Sequence, residues 1–406
     1  MLARHQGQVV LVWGAIPGER VRARIDRVGK GVLYAETIDV LSASPDRRPS
    51  RADWRCGGDV LAHIEYTRQV RLKGQIIQDA FGRIGRVPLA AAPEVMASPE
   101  AGYRMRARLH VQDGRLGFYR EGTHQLCDAA ATAQLRPSTN EWLAHAAEIL
   151  RRTASSGVAA LEVAENVAGD QRACHLELYR DSEPMRFAEL ADGLTGLSAQ
   201  RIDDRDVATV AGEPVVEDVI AVAGSGAARH LTLRRNVRAF FQSNRFLLEP
   251  LVRHVVALVP AGPVVDLYAG VGLFGLSLAA AGADSVTLIE GDPISGADLK
   301  RNAEGFGGVR VKRRSVEEFL TDVRRPLDSA TFVVDPPRTG LSREAMAGLI
   351  RVRPSTIVYV SCDVATLARD TRALLDAGYT LGGIQGFDLF PNTAHVETVA
   401  VLSPAT

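Results

Sequence analysis

Pro263-Val264-Val265-Asp266-Leu267-Tyr268-Ala269-Gly270-Val271-Gly272 decides the architecture of the last third of the chain. The apolar residues at its start read as a buried strand and the Gly-x-Gly as a tight turn, and Leu273 to Ala281 continue as a helix. Ser285 to Glu290 form the next strand and end in an acid. Ala330 to Asp335, Ile357 to Cys362 and a stretch near His395 to Leu402 add strands, with helical spacing between them. Strands alternating with helices predict an α/β, doubly wound, Rossmann-like domain with a parallel sheet, whose ligands sit at the carboxyl ends of the strands.

Four of those carboxyl ends carry chemistry. At the first, Gly270 lets backbone approach a ligand, and Glu290 at the end of the second strand suits the paired hydroxyls of a ribose. The full GxGxxG is missing, so a nucleoside ligand without a pyrophosphate, such as S-adenosylmethionine, fits better than a dinucleotide. Next, Asp335-Pro336-Pro337-Arg338-Thr339-Gly340 sets two ring-locked residues after an aspartate, a rigid loop that holds carboxylate and guanidinium at the sheet edge. Adenine and cytosine amino methyltransferases carry an aromatic residue after such prolines; Arg338 in that place points to a different target atom. Last, Ile357-Val358-Tyr359-Val360-Ser361-Cys362-Asp363 delivers a thiol, which is either a nucleophile or a small buried apolar residue; that stretch alone leaves both readings open.

The remainder of the 406 residues is more than one core organises. Residues 1–43 alternate apolar and polar in short runs and predict a small antiparallel β unit, an OB-like open barrel of the kind that binds oligonucleotides. Residues 44–230 read as a linker, Ser42 to Arg55, and a central α+β domain: a helix from Leu61 to about Ile84, a hairpin turning at Asp113-Gly114, a helix over Asn140 to Arg152, and strands at Ala159 to Val163, Ala173 to Tyr179 and Ala208 to Val210. Residues 231–406 are the Rossmann-like domain. With 48 basic and 48 acidic residues the chain is neutral, which argues against a protein that coats nucleic acid, and its arginine-rich stretches read mainly as solvated faces. Four scattered cysteines predict reduced thiols in a cytoplasmic protein, and no apolar run approaches membrane-spanning length.

Taken together, Phe240-Phe241-Gln242-Ser243-Asn244, the Asp266 to Gly272 turn, the Asp335 to Gly340 loop, Ser361-Cys362-Asp363 with Thr366-Leu367-Ala368-Arg369-Asp370, and His395-Val396-Glu397 resemble the RNA 5-methyluridine methyltransferases. The resemblance extends to Pro17-Gly18-Glu19-Arg20-Val21 and to Cys56-Gly57-Gly58 with His63, Tyr66, Gln69 and Lys73. It implies S-adenosyl-L-methionine as cofactor, with Gln242, Tyr268, Gly270, Glu290 and Asp335 around it, Cys362 as nucleophile on C6 of uracil and Glu397 as the base that takes the C5 proton. It implies RNA, ribosomal or transfer, as partner, with 23S RNA slightly favoured, no membrane, and a monomer. Many members hold an iron-sulfur cluster on four cysteines; here those places are Ser50, Cys56, Asp59 and Cys127, and two thiolates cannot supply four ligands, so no cluster is expected. His395 reads as an orienting or structural residue and Cys174 as core. The rival readings are a noncatalytic RNA-binding or RNA-folding factor, against which Cys362 and Glu397 argue, and a methyltransferase acting on DNA or an amino nitrogen, against which Arg338 argues.

Overall fold

The computed structural model describes residues 1–50, 53–153, 157–222 and 229–405; Arg51 and Ala52, inside the expected linker, lie outside the described residues. At the amino terminus, β1 (Leu2–His5), β2 (Gln8–Trp13), β3 (Arg20–Gly29) and β4 (Val32–Ser42) make an open sheet in the order β1-β2-β4-β3. This unit is mixed rather than antiparallel, because the longer connection through β3 brings β4 back alongside β2 in parallel.

The helix expected from Leu61 starts later: α1 spans Tyr66–Ala80 and closes in a wider turn over Phe81–Gly85. Leu61 to Ile64 are instead in turns, where the backbone amides of Leu61 and Ile64 bond Asn392 and Leu61 carbonyls. After β5 (Val95–Met96) comes the central region, with β6 (Arg106–Gln112), β7 (Arg115–Tyr119), β8 (Leu126–Cys127), α2 (Pro137–Arg152), β9 (Val158–Glu165), β10 (Arg172–Leu178), β11 (Gly196–Arg201) and β12 (Val207–Gly212). These seven strands form one sheet in the order β12-β11-β10-β9-β6-β7-β8, over which α2 packs with Trp142, Leu143, Ile149 and Leu150. Asp113 and Gly114 both take positive φ, which the two-residue hairpin turn between β6 and β7 requires. The hairpin of β13 (Val215–Val222) and β14 (Arg229–Asn236) leads into the last third.

There α3 (Leu248–Leu258), β15 (Val264–Leu267), α4 (Leu273–Ala281), β16 (Val286–Glu290), α5 (Pro293–Asn302), β17 (Val309–Arg313), α6 (Val316–Asp322), β18 (Thr331–Val334), α7 (Arg343–Val352), β19 (Thr356–Ser361), α8 (Val364–Asp376), β20 (Tyr379–Phe387) and β21 (Glu397–Pro404) follow. The sheet order is β17-β16-β15-β18-β19-β21-β20-β5. Seven of these eight strands run in one direction, but β21 inserts antiparallel between β19 and β20, so the expected parallel sheet is mixed at one end. A short reversal at 388–396 suffices for that hairpin, where a parallel return needs a crossover. Apolar clusters cover both faces, one under α3, α4 and α5 and the other under α6, α7 and α8.

The expected division at residue 230 does not separate these bodies in space. β5 adds to β20 through Val95 and Met96, and the turn ending α1 lies against α8 so closely that a Cβ on Gly85 would fall 2.9 Å from the Ala368 carbonyl oxygen. Cys56 and Cys127 are joined by a disulfide across 71 residues, so the expectation of four reduced thiols does not hold for this pair. The bridge between Cys56 and Arg120, next to the β7–β8 pairing, is what brings the two sulfurs together. Among the described residues, no helix is long and apolar enough to cross a membrane, and no cluster of three or more His, Cys, Asp or Glu side chains is arranged to hold a metal.

Candidate active site

The carboxyl edge of the eight-stranded sheet gathers the polar groups. After β15, Tyr268 has φ 62°, Gly270 57° and Gly272 104°. Left-handed backbone at a bulky residue such as Tyr268 is strained and persists only where surrounding structure enforces it. The Ala269 amide is bonded to the Ile289 carbonyl at 2.9 Å, which ties the turn to β16. Glu290 accepts from the Gly270 amide at 2.7 Å and the Asp292 amide at 2.6 Å. Burial pushes its carboxyl up, and those amides pull against the shift. A Cβ on Gly270 would meet nothing within 4 Å, so the backbone here faces open space. An open turn backed by a fixed carboxylate, with Tyr268, Gln242 and Asp335 at the same sheet edge, offers the polar groups that a ribose-bearing ligand requires.

Asp335 follows β18 with its amide on the Leu267 carbonyl at 3.3 Å. It is 3.4 Å from the amide nitrogen of the buried Gln242, its carboxyl is pushed up to about 7 by burial, and the Gln242 bond opposes that rise. Beneath the turn, Asp266 accepts from the Gly275 amide at 2.8 Å; its other oxygen is buried with no partner among the described residues. Burial raises this carboxyl well above the usual range.

Cys362 leaves β19 one residue past Ser361, and Ser361 pairs with Thr398, so Cys362 and Glu397 face one another across the β19–β21 ladder. Cys362 is half-buried, whereas Glu397 is 1% exposed and its Oε1 has no partner among the described residues. Burial, and then the acids Glu397 and Asp335, push the thiol up to about 11, while Arg338 beside it pulls it down. Burial and Asp335 likewise hold Glu397 well above the ordinary carboxylate range. The edge thus holds two buried carboxyls, a thiol and a guanidinium within interaction range.

Two sets of long-range contacts, which carry no local sequence signal, hold the loops in position. Asp363 caps α8 by accepting from the Thr366 amide at 2.9 Å; Thr366 donates to the Arg338 carbonyl at 3.2 Å and Arg369 to the Thr339 carbonyl at 3.0 Å. Asp370 receives the Leu341 amide at 2.9 Å and the Tyr359 hydroxyl at 2.7 Å, so the helix after the thiol fastens the proline loop. On the other side, the buried Lys73 pairs with the buried Asp388 and donates to the Phe390 carbonyl at 2.9 Å, and Tyr66 donates to Asp388 at 3.0 Å. Gln69 exchanges two bonds with Asn392, at 2.9 and 3.0 Å. These α1 residues therefore fix the loop that runs into Glu397. His395 lies on the same loop with its imidazole pushed down by burial, and Cys174 is fully buried in the central core. Phe240, from the same motif, stands 59% exposed two residues before Gln242.

A separate cavity of about 540 Å³, lined by Val256, Pro260, Pro263 and Ser285, lies at the amino ends of β15 and β16, away from every group above.

Residues 197–404 match the model of the tRNA (uracil-5-)-methyltransferase family. An uncharacterized RNA methyltransferase of Streptomyces coelicolor is 31% identical, over 98% of this chain and 89% of its own. A 23S rRNA (uracil(1939)-C(5))-methyltransferase of Pectobacterium atrosepticum is 29% identical, over 98% of this chain and 90% of its own. Among solved structures, the Pyrococcus abyssi tRNA (uracil-54, C5)-methyltransferase in complex with S-adenosyl-L-homocysteine superposes with a TM-score of 0.78, at 24% identity, covering 97% of this chain and 94% of that one.

Proposed function

This chain belongs to the tRNA (uracil-5-)-methyltransferase family, and from that premise we propose that it forms 5-methyluridine in RNA through a covalent bond between Cys362 and C6 of the target uracil. The observation that carries the reading is that the β19–β21 register sets Cys362 opposite Glu397, whose buried Oε1 has no partner among the described residues, at the sheet edge next to Asp335. S-adenosylmethionine, when bound, supplies an electrophilic methyl group on its sulfonium. Glu290, Gln242, Tyr268, Asp335 and the Gly270 backbone would hold it.

C5 of uracil is a weak nucleophile, and the chain's task is to change that. The Cys362 thiolate adds to C6, forming a C–S bond and pushing the ring electrons toward C5 as an enolate. C5 then takes the methyl group. Glu397 removes the C5 proton, and the returning electron pair expels the Cys362 thiolate from C6. The sum is uridine converted to 5-methyluridine, with one proton released. A carboxyl whose burial opposes ionisation is a stronger base once ionised, which suits Glu397 to a carbon-bound proton. Arg338 is a cation that acts on the thiol, and it favours the thiolate. The ring must be reached at both edge and face, so the target uridine leaves its stack.

Ribosomal 23S RNA is the substrate we put before transfer RNA, supported by the near full-length match to the Pectobacterium enzyme. The test uses labelled adenosylmethionine with 23S and transfer RNA transcripts, some made with 5-fluorouridine, whose C5 fluorine cannot leave as a proton and so arrests the covalent state. Wild type should give a denaturant-stable protein–RNA adduct and methyl transfer, with 23S RNA the better acceptor. Cys362→Ala should give no adduct and lose at least about 10⁴-fold in rate, as for loss of a covalent nucleophile. No adduct and no methyl transfer to any RNA by the wild type would overturn the proposal.

A further inference from the structure

In front of the Pro336-Pro337-Arg338 loop a cleft of about 390 Å³ opens where the amino-terminal sheet, the central sheet and the loop before Glu397 meet. Its central-sheet wall carries a preassembled stack: the His110 and Tyr119 rings lie 3.6 Å apart at 7°, with His124 edge-on to Tyr119 at 5.3 Å. Tyr119 is held from behind, its carbonyl accepting from the Gly57 amide at 3.0 Å. His110 is pushed below its ordinary range by burial, so its ring is uncharged at neutral pH. Trp13 enters the same cleft from β2 and is 41% exposed, which leaves its ring open to a ligand in the cleft.

The charge in the cleft is only partly compensated: three guanidinium groups line it with one carboxylate, Glu121. Arg108 is bonded by Glu177 at 2.7 Å, but among the described residues neither Arg104 nor Arg338 lies within ion-pair distance of a carboxylate. Arg104 lies over the Phe118 ring at 5.0 Å and spends Nε on the Arg106 carbonyl at 2.9 Å and Nη1 on Gln134 at 2.7 Å, leaving Nη2 without a hydrogen-bond partner among the described residues. Open aromatic faces interleaved with unpaired guanidinium groups are what a single-stranded nucleic acid requires: rings for bases, cations for phosphates. Arg338 lines the cleft and also acts on Cys362, so one wall of the cleft stands beside the thiol.

We infer that this cleft is the seat of the RNA strand flanking the target uridine, with one neighbouring base extending the His110–Tyr119 stack, a second covering Trp13, and a phosphate on Arg104. The inference rests on the reading of Cys362 as the uridine-directed nucleophile. It places substrate discrimination outside the catalytic edge, on rings supplied by two other sheets.

Two measurements separate this from the catalytic reading. The first is binding of a fluorescein-labelled twelve-nucleotide uridine oligomer to the intact chain. The second is KM for 23S transcript in methyl transfer. Tyr119→Ala and Trp13→Ala should each weaken oligomer binding and raise KM for RNA about tenfold, the usual loss for one base–ring stack, without changing KM for adenosylmethionine. Tyr119→Phe, which keeps the ring, should restore both. If Tyr119→Ala fails to fold, Trp13→Ala on an exposed position carries the test. Alanine variants that bind the oligomer and use the transcript like wild type overturn the inference, and methyl transfer by the wild type would leave the catalytic reading standing. Weakened oligomer binding in both variants, with no RNA methylated by any of the proteins, would uphold the cleft and sink the catalytic reading.

Discussion

At the scale of single residues, the state of Cys362 in the free protein is the sharpest consequence of the geometry. Its thiol is pushed up to about 11, so below that value the thiolate is a minor species whose fraction grows tenfold for each pH unit. Alkylation of Cys362 by iodoacetamide should therefore rise about tenfold per unit from pH 7 to 10, with no plateau near the ordinary thiol value of about 8.5. The measurement is clean, because Cys174 is fully buried and Cys56 and Cys127 are bonded to each other. Arg338→Gln removes the cation that opposes the shift and should slow alkylation at every pH in that range. A plateau by pH 8.5, or faster alkylation in the variant, would contradict this account of the site. The sequence placed the thiol at a strand end; it could not show that two buried carboxyls would weaken that thiol, because the carboxyls come from other strands.

At the scale of elements, the loop before Glu397 is held by a helix more than 300 positions away in the chain, a contact with no local signature. Lys73 and Asp388 are both 0% exposed, and their pairing is what makes either charge tolerable inside. Lys73→Ala leaves Asp388 buried without its cation and should cost about 3–5 kcal/mol in urea unfolding. Lys73→Met with Asp388→Leu should cost less, since both charges go together; equal losses would show that the pair is not coupled. The proline loop is held in a comparable way from α8. Gly340 has φ +73°, and a Cβ there would fall 2.6 Å from both Arg369 and Asp370, so the motif residues Arg369 and Asp370 read as fasteners of the loop rather than as ligands. β20 was not foreseen, because Gly382, Gly383 and Gly386 dilute its apolar alternation and its register shifts after Leu381.

At the scale of the molecule, the Cys56–Cys127 bridge closes a 71-residue span within the central region and next to the RNA-facing cleft proposed above. On the chain-entropy account a loop of that length contributes roughly 4 kcal/mol. Dithiothreitol should lower the urea midpoint of the wild type accordingly and leave Cys56→Ser unmoved; an unchanged wild-type midpoint would argue that the bridge adds no stability. The catalytic sheet was legible in the chain itself: buried strands are continuous apolar runs, glycines mark the tight turn, and strand ends announce their polar residues, so Gly270, Glu290, Asp335 and Cys362 stand at one edge by topology alone. What local pattern cannot encode is which strand lies beside which, and hence that β21 enters antiparallel and sets Glu397 against Cys362. Nor can it encode that Lys73, Gln69, Tyr119 and Trp13 converge on the loops of that edge. Pairing order and long-range packing are decided by burial of whole faces against one another, and only the folded chain carries that information.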